Sequence, residues 1–260
     1  MTTQAQPHSP TTLKLGKTPA RPGAAKLRLS NYIDTSVLPS PPTEFGHETL
    51  IPTWGMLGND RYGDCVFAGA GHETMLWNAE AGKSVNVDAD AALENYSEVT
   101  GFNPDDPSTD RGTDMEVAAK YRRKTGFVDA DGKRHKIGAY VSLEPGDLNE
   151  LWYATYLFDG VGIGVEFCSQ WMDAFNNHKP WDAVAHPKIE GGHYIPAIAK
   201  RSGDATIVTW GSGQPMTAAG YQQFNDESLA YLSLEKLTNG HDINGFDLAA
   251  LRKDLAALTT

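Results

Sequence analysis

Cys65 ends a loop bounded by Gly58 and Gly63, and it opens a stretch that reads as a helix. His193 lies 128 residues further on (65 to 193), behind Gly191-Gly192 and at the head of the apolar run Tyr194-Ile195-Pro196-Ala197-Ile198. A fold that sets this helix start beside this strand brings a thiol against an imidazole. A helix N-terminus favours the thiolate, and a neighbouring imidazole turns such a thiol into a nucleophile. Asp64 is the N-cap residue type expected just before the helix. Val66, Gly69, Ala70, Glu73 and Trp77 recur at helical spacing, and Ala68–Gly71 are small enough to admit another element. The second cysteine, Cys168, follows a strand without such a loop and reads as structural.

The other histidines do not extend this pair. His72 lies two turns along the helix, which suits packing. His8, His47, His135, His178, His186 and His241 show no metal-ligand spacing, and the acidic loop Asp105-Asp106…Asp110 lacks a calcium-loop pattern, so no metal or cofactor is expected. Two cysteines make no disulfide framework, which implies a reducing compartment or a fold that needs no staples.

Charge divides the chain. The net charge is -11, yet residues 1–30 carry Lys14, Lys17, Arg21, Lys26 and Arg28 and no acid. That is +5, so the other 230 residues carry -16. A folded part this acidic is not a nucleic-acid binder. No run of 18 apolar residues marks a membrane span, and Met1-Thr2-Thr3-Gln4 does not begin a signal peptide. With Pro7, Pro10, Pro19 and Pro22 among polar residues, 1–30 is expected to be a disordered basic arm, either solvated or docked on an acidic partner. Residues 31–56 alternate prolines with Tyr32, Ile33, Leu38, Phe45 and Trp54, as an extended strap over a surface would. Residues 57–260 form the domain.

Within that domain, helices are expected over 65–81, 89–100, 114–124, 147–158 and 246–258. Strands are expected over 160–167, 194–200, 206–210 and 229–234, with a hairpin turn at Asp131-Gly132. Helices thus precede antiparallel strands, an α+β pattern with two lobes.

In order and spacing, these motifs resemble the papain-like cysteine peptidases over about residues 38–235. The family's oxyanion-hole glutamine, glycine and nucleophile match Asn59, Gly63 and Cys65 with the six-residue spacing kept. Its glycine-led strand is similar to Gly160–Phe167, its aromatic helix and loop to Trp171, Phe175 and Trp181, and its histidine strand to His193–Ala199. Its Asn-Ser-Trp-Gly strand end is similar to Val208-Thr209-Trp210-Gly211. The resemblance implies a helical N-terminal lobe whose central helix starts at Cys65, and an antiparallel C-terminal lobe. It also implies that Cys65 attacks a carbonyl, that His193 pairs with it, and that Asn59 and the Cys65 N–H hold the oxyanion. Gly63, Asp64, Gly192 and Trp210 would line the site.

The sequence departs from the family twice. Asn59 is one methylene shorter than glutamine. The orienting asparagine is replaced by Val208 or Thr209, of which Thr209 can bond the imidazole without charge. Absence of the family's disulfides and leader fits a cytoplasmic or virion-borne relative of phage or bacterial origin. The leading expectation is a cysteine hydrolase acting on a peptide, amide or isopeptide bond of a peptide or protein substrate. Acyl transfer would use the same pair. A different class, motivated by the missing third residue and the long arm, is a non-catalytic scaffold that joins a larger assembly, such as a virion, through residues 1–56. The family's propeptide offers a third use of the arm, although residues 1–30 are too polar to fold as a helical prodomain.

Overall fold

The computed structural model describes residues 13–237 and 248–257. Helix α1 (Cys65–Glu80) lies between the two lobes. On one side are α2 (Ala89–Thr100), α3 (Met115–Lys124) and the small hairpin of β2 (Phe127–Val128) with β3 (Arg134–His135). Side chains help set where these helices begin. Asp88 accepts from the Ala91 amide and Asp114 from that of Val117, so each satisfies one free N–H of a first turn. Gly101, at φ +74°, closes α2 in the left-handed conformation that a helix end often takes.

On the other side is an antiparallel sheet. It contains β1 (Phe45–Gly46), β4 (Ile137–Leu143), β5 (Val161–Cys168), β6 (Ile189–Arg201), β7 (Asp204–Thr209), β8 (Ser212–Met216) and β9 (Asn225–Ser233). Their order is β4-β9-β5-β6-β7-β8, with β1 added on β6. Helices α4 (Leu148–Phe158), α5 (Ser169–Asn176) and α6 (Ala218–Phe224) pack apolar residues against its outer face, α8 (Leu248–Ala257) adds Ala250 and Leu251, and α7 (Leu234–Leu237) follows β9. The strand expected at 229–234 is therefore central, paired on both sides. Strands β4 and β8 and helix α6 were not expected. The C-terminal helix is described over 248–257, so residues 246, 247 and 258 of the expected span lie outside the described residues.

The sheet buries both faces. Val161, Ile163, Val165, Phe167, Ile195, Ala197, Ala230 and Leu232 face the outer helices. Tyr194, Leu229 and Tyr231 face α1. In β5 the residues alternating with the valines are Gly162 and Gly164, and each leaves room for a partner. A Cβ on Gly162 would stand 2.1 Å from the Tyr194 hydroxyl. A Cβ on Gly69 of α1 would stand 2.4 Å from the Tyr194 ring. Tyr194 is thus keyed between helix and strand, and its hydroxyl donates to Glu73 Oε1 at 2.8 Å. Glu73 Oε2 lies 2.7 Å from buried Arg122 Nη1, and that guanidinium sits over Tyr231 at 4.3 Å. Trp77 Nε1 adds a bond to the Phe158 carbonyl at 3.1 Å. Helix α1 is consequently buried all round rather than on the single face its spacing indicated.

Residues 13–30, expected as disordered arm, instead lie on the domain. Leu29 is buried in the sheet core and Lys17 between the lobes, while the Ser142 amide donates to the Leu27 carbonyl at 2.7 Å. Residues 1–12 lie outside the described residues.

Gly69→Ala sets two effects against each other. Alanine favours a helix interior by about 1 kcal/mol, but overpacking a core typically costs about 1–3 kcal/mol, and here the new methyl meets a ring that is also held at Gly162 and Glu73. We expect net destabilisation, read as a lower urea midpoint.

Candidate active site

The loop before Cys65 is fixed from the helical lobe. The Asp110 carboxylate accepts from the Gly63 amide at 3.1 and 3.0 Å and from the Tyr96 hydroxyl at 2.7 Å. Leu57 and Gly58, at φ +52° and +97°, turn the chain into the loop. Asp64 occupies the N-cap position as expected, but its carboxyl does not cap the helix. It is fully buried, and burial pushes its pKa well above the usual carboxylate range against the smaller opposing pull of the neighbouring Asn59 side chain. The Asn59 amide donates to the Tyr62 carbonyl at 3.0 Å, so one of its N–H groups serves its own loop.

His193 sits on β6 opposite Val165 of β5. Its Nε2 lies 2.8 Å from Thr209 Oγ1, which decides between Val208 and Thr209 as the residue that meets the imidazole. Trp210 stacks on the imidazole, with centroids 4.7 Å apart and planes 20° apart. Phe167 and Trp181 present further rings to it at 6.0 and 6.3 Å. The two-residue turn Trp210-Gly211, between paired Thr209 and Ser212, has positive φ at both positions, 46° and 75°. This is the hairpin turn that matches strand twist. A tryptophan held there costs about 1–2 kcal/mol, which packing on His193, Phe175 and Trp181 offsets.

Tyr194, the residue after His193, packs its ring on Gly69 of the helix that Cys65 opens, so the histidine strand and the cysteine helix meet through it. His193 Nδ1, the nitrogen not used by Thr209, is buried and has no hydrogen-bond partner. Both groups are neutral in this state. Burial pushes the thiol up to about 12, against the smaller pull of the Tyr194 amide, and pushes the imidazole down to about 3. An ion pair therefore requires water or substrate to replace what covers them.

The cover is the chain itself. Residues 14–18 run between the lobes. The Lys14 amide donates to the Asn59 carbonyl at 3.2 Å, and Trp210 Nε1 donates to the Lys14 carbonyl at 3.1 Å. The Gly16 and Lys17 amides both reach the Gly192 carbonyl, at 3.2 and 3.1 Å, and Gly16 and Thr18 exchange bonds with Thr113. Glycines line the passage because a side chain would close it. A Cβ on Gly63 would stand 2.9 Å from the Leu15 oxygen, one on Gly112 2.0 Å from that of Gly16, and one on Gly192 2.4 Å from that of Lys17. The Lys17 side chain is wholly buried, with Nζ 2.8 Å from Asp226 and 3.1 Å from Glu227.

A cysteine-headed helix wedged between a helical lobe and an antiparallel sheet is the papain-like fold. No model of a known protein family matches the sequence, and no curated sequence matches it. Among solved structures, xylellain, a cysteine protease from Xylella fastidiosa, is similar with a TM-score of 0.63 at 13% identity, over 88% of this chain and 100% of that one. A proCathepsin B from Trypanosoma congolense is similar at 0.59 and 9% identity, over 85% and 86%. The Carica candamarcensis cysteine protease CMS1MS2, solved with E-64, is similar at 0.54 and 14% identity, over 74% and 98%. At these identities the likeness establishes the fold. The family's disulfides are absent here: Cys65 and Cys168 are both free.

Sequence reasoning missed Lys17, Asp226, Glu227, Gly112 and Tyr194. The basic arm beside an acidic domain was the available signal for the first three. Among the described residues, one cluster brings three metal-ligand types together, His47, Glu80 and Asp159. It lies at the other end of α1, about 22 Å from Cys65 at 1.5 Å per residue, and takes no part in this site.

Two outcomes follow from this geometry. A Cβ on Gly16 would stand 1.9 Å from the Gly63 oxygen, so Gly16→Ala should lift the strap. Iodoacetamide labelling of Cys65 at pH 8, read by peptide mass mapping, should then rise about tenfold or more, with Cys168 as the internal control. Asp64 has a raised folded pKa, so it binds its proton more tightly folded than unfolded. Its contribution is fully present below the unfolded value and is lost as pH rises. Asp64→Asn should therefore raise stability relative to the parent at pH 7, with the difference shrinking toward pH 4, in urea midpoints measured at both.

Proposed function

We propose that this protein is a cysteine hydrolase of papain-like fold, held latent by its own residues 14–18. The observation that carries the reading is His193, whose Nε2 is engaged by Thr209 while Nδ1 is buried and has no hydrogen-bond partner. With Nε2–H donated to Thr209, Nδ1 carries the lone pair that accepts the Cys65 proton. The thiolate then attacks the carbonyl carbon of a peptide, amide or isopeptide bond. The Cys65 N–H, at the uncapped start of α1, holds the oxyanion, joined by the Asn59 amide once it turns from the Tyr62 carbonyl. His193 returns the proton to the leaving nitrogen as the C–N bond breaks, leaving a thioester. Water, deprotonated by His193, hydrolyses the thioester to a carboxylic acid and restores the thiol. Trp210 shields the Thr209 bond from water. Latency follows from the strap, which fills the place a substrate backbone would take and keeps both groups neutral by burial.

A second reading, a non-catalytic scaffold, draws on Thr209 standing where a family member has asparagine. Hydrolysis distinguishes the two. The Gly16→Ala chain should cleave unstructured protein such as casein, and Cys65→Ala in that background should abolish cleavage. A Gly16→Ala chain with labelled Cys65 and no cleavage supports the scaffold. Thr209→Val leaves the buried imidazole nitrogen unpartnered, a loss of about 1–3 kcal/mol, so kcat/KM should fall about 10- to 100-fold. Thr209→Asn should restore it, which a purely structural threonine would not require.

A further inference from the structure

Lys17 is buried more deeply than a tether needs. Its side chain leaves the strap and enters a pocket built wholly by the sheet lobe. Asp226 and Glu227, at the start of β9, supply two carboxylates, and Gly164 of β5 forms a wall. A Cβ on Gly164 would stand 2.2 Å from Lys17 Cε, so the glycine is what leaves the pocket open. Gly164 pairs directly with Tyr194, the residue after His193. The Lys17 amide bonds the Gly192 carbonyl, the residue before it. A backbone held at Gly192, next to His193, therefore delivers its side chain into this pocket.

The pocket is also unsatisfied by its present occupant. Lys17 Nζ bonds Asp226 Oδ2, reaches Glu227 Oε1, and donates to the Thr18 carbonyl at 3.0 Å. Asp226 Oδ1 is buried and has no hydrogen-bond partner. A site made only to hold the strap has no use for this extra acceptor. A guanidinium, with five donors in a fork, can use both Asp226 oxygens. The two carboxylates keep about a fifth of their side-chain surface exposed, 22% and 21%, so the pocket is open to solvent on one side. Two adjacent carboxylates repel each other and reject an apolar side chain, which would leave both desolvated and unpaired.

We propose that the Asp226–Glu227 pocket selects a cationic side chain, lysine or arginine, in the substrate near the bond presented to Cys65, and that Lys17 imitates that side chain in the strap. This rests on the hydrolase reading of the same cleft. It makes latency and specificity two uses of one pocket: the strap blocks the cleft with the group the cleft prefers.

Binding and cleavage test it separately. Full-length chain carrying Lys17→Ala and Cys65→Ala is titrated with labelled Leu-Lys-Leu-Gly-Lys-Thr, and with versions bearing norleucine or arginine in place of the second lysine. Lysine and arginine should bind about 100-fold tighter than norleucine, and Asp226→Asn with Glu227→Gln should remove the difference. If Lys17→Ala does not fold, as read by circular dichroism, Lys17→Gln carries the same comparison. In a second arm, Lys17→Ala with Cys65 intact meets a peptide series in which one lysine or arginine is moved stepwise. Cleavage should occur at a fixed distance from the basic residue. Equal binding of lysine and norleucine peptides, or cleavage indifferent to the basic residue, overturns the proposal while leaving the hydrolase standing. Cation-selective binding with no cleavage of any peptide sinks the hydrolase reading, and with it substrate selection, and leaves a peptide-binding pocket.

Discussion

Tyr194 is the piece on which the rest of the structure depends. Its ring is caught between Gly69 of the central helix and Gly162 of the sheet, and its hydroxyl ends on Glu73. These contacts fix the helix one and two turns beyond Cys65, and they fix the sheet one residue beyond His193. The helix that begins at Cys65 and the strand that carries His193 are therefore held in register through Tyr194. The buried Arg122 makes the arrangement costly to disturb, because freeing Glu73 would leave an uncompensated charge in the core.

The second constraint is electrostatic. The charge split between a +5 arm and a -16 remainder, read from sequence as a solvated tail or an arm docked on an acidic partner, is met within the molecule over residues 17–28. Lys17 pairs with Asp226 and Glu227, Arg21 with Asp114 and Glu116, and Arg28 with Glu144. The exposed Arg28 pair contributes little. Lys17 differs because its ammonium is removed from water and must be matched, which makes it the specific element of the docking. A strap held by main-chain bonds and one buried cation can be displaced by a chain offering the same groups.

The two-lobed α+β architecture and most of its helices were legible because they rest on local signals, the helical spacing of apolar residues and turns such as Asp131-Gly132. Cys65, His193 and Thr209 were legible through their order and spacing. The elements that were missed lack such signals. Strand β4 is buried on both faces and does not alternate. Strand β8 carries Gly213 and Pro215 and survives only as an edge. Asn59 was legible as a position, but its amide direction was set by the Tyr62 carbonyl, a contact that spacing does not reveal. Asp64 was legible as a cap by residue type and became a buried neutral acid because the surrounding loop excludes water.

By itself the sequence determined which residues are chemically capable and roughly which element carries each, since helix starts, strand runs and turns are decided within a few residues of themselves. Tertiary structure decided what those residues face. The arm looked disordered because its composition cannot form a core of its own, yet its residues 14–18 are ordered by a cleft whose walls come from residues 59–63, 112–113, 192 and 226–227. Burial sets the protonation of Cys65 and His193, and Gly164 makes room for Lys17 from a strand 147 positions away (17 to 164). Such contacts depend on desolvation and shape between segments distant in sequence, and neither property belongs to any one segment alone.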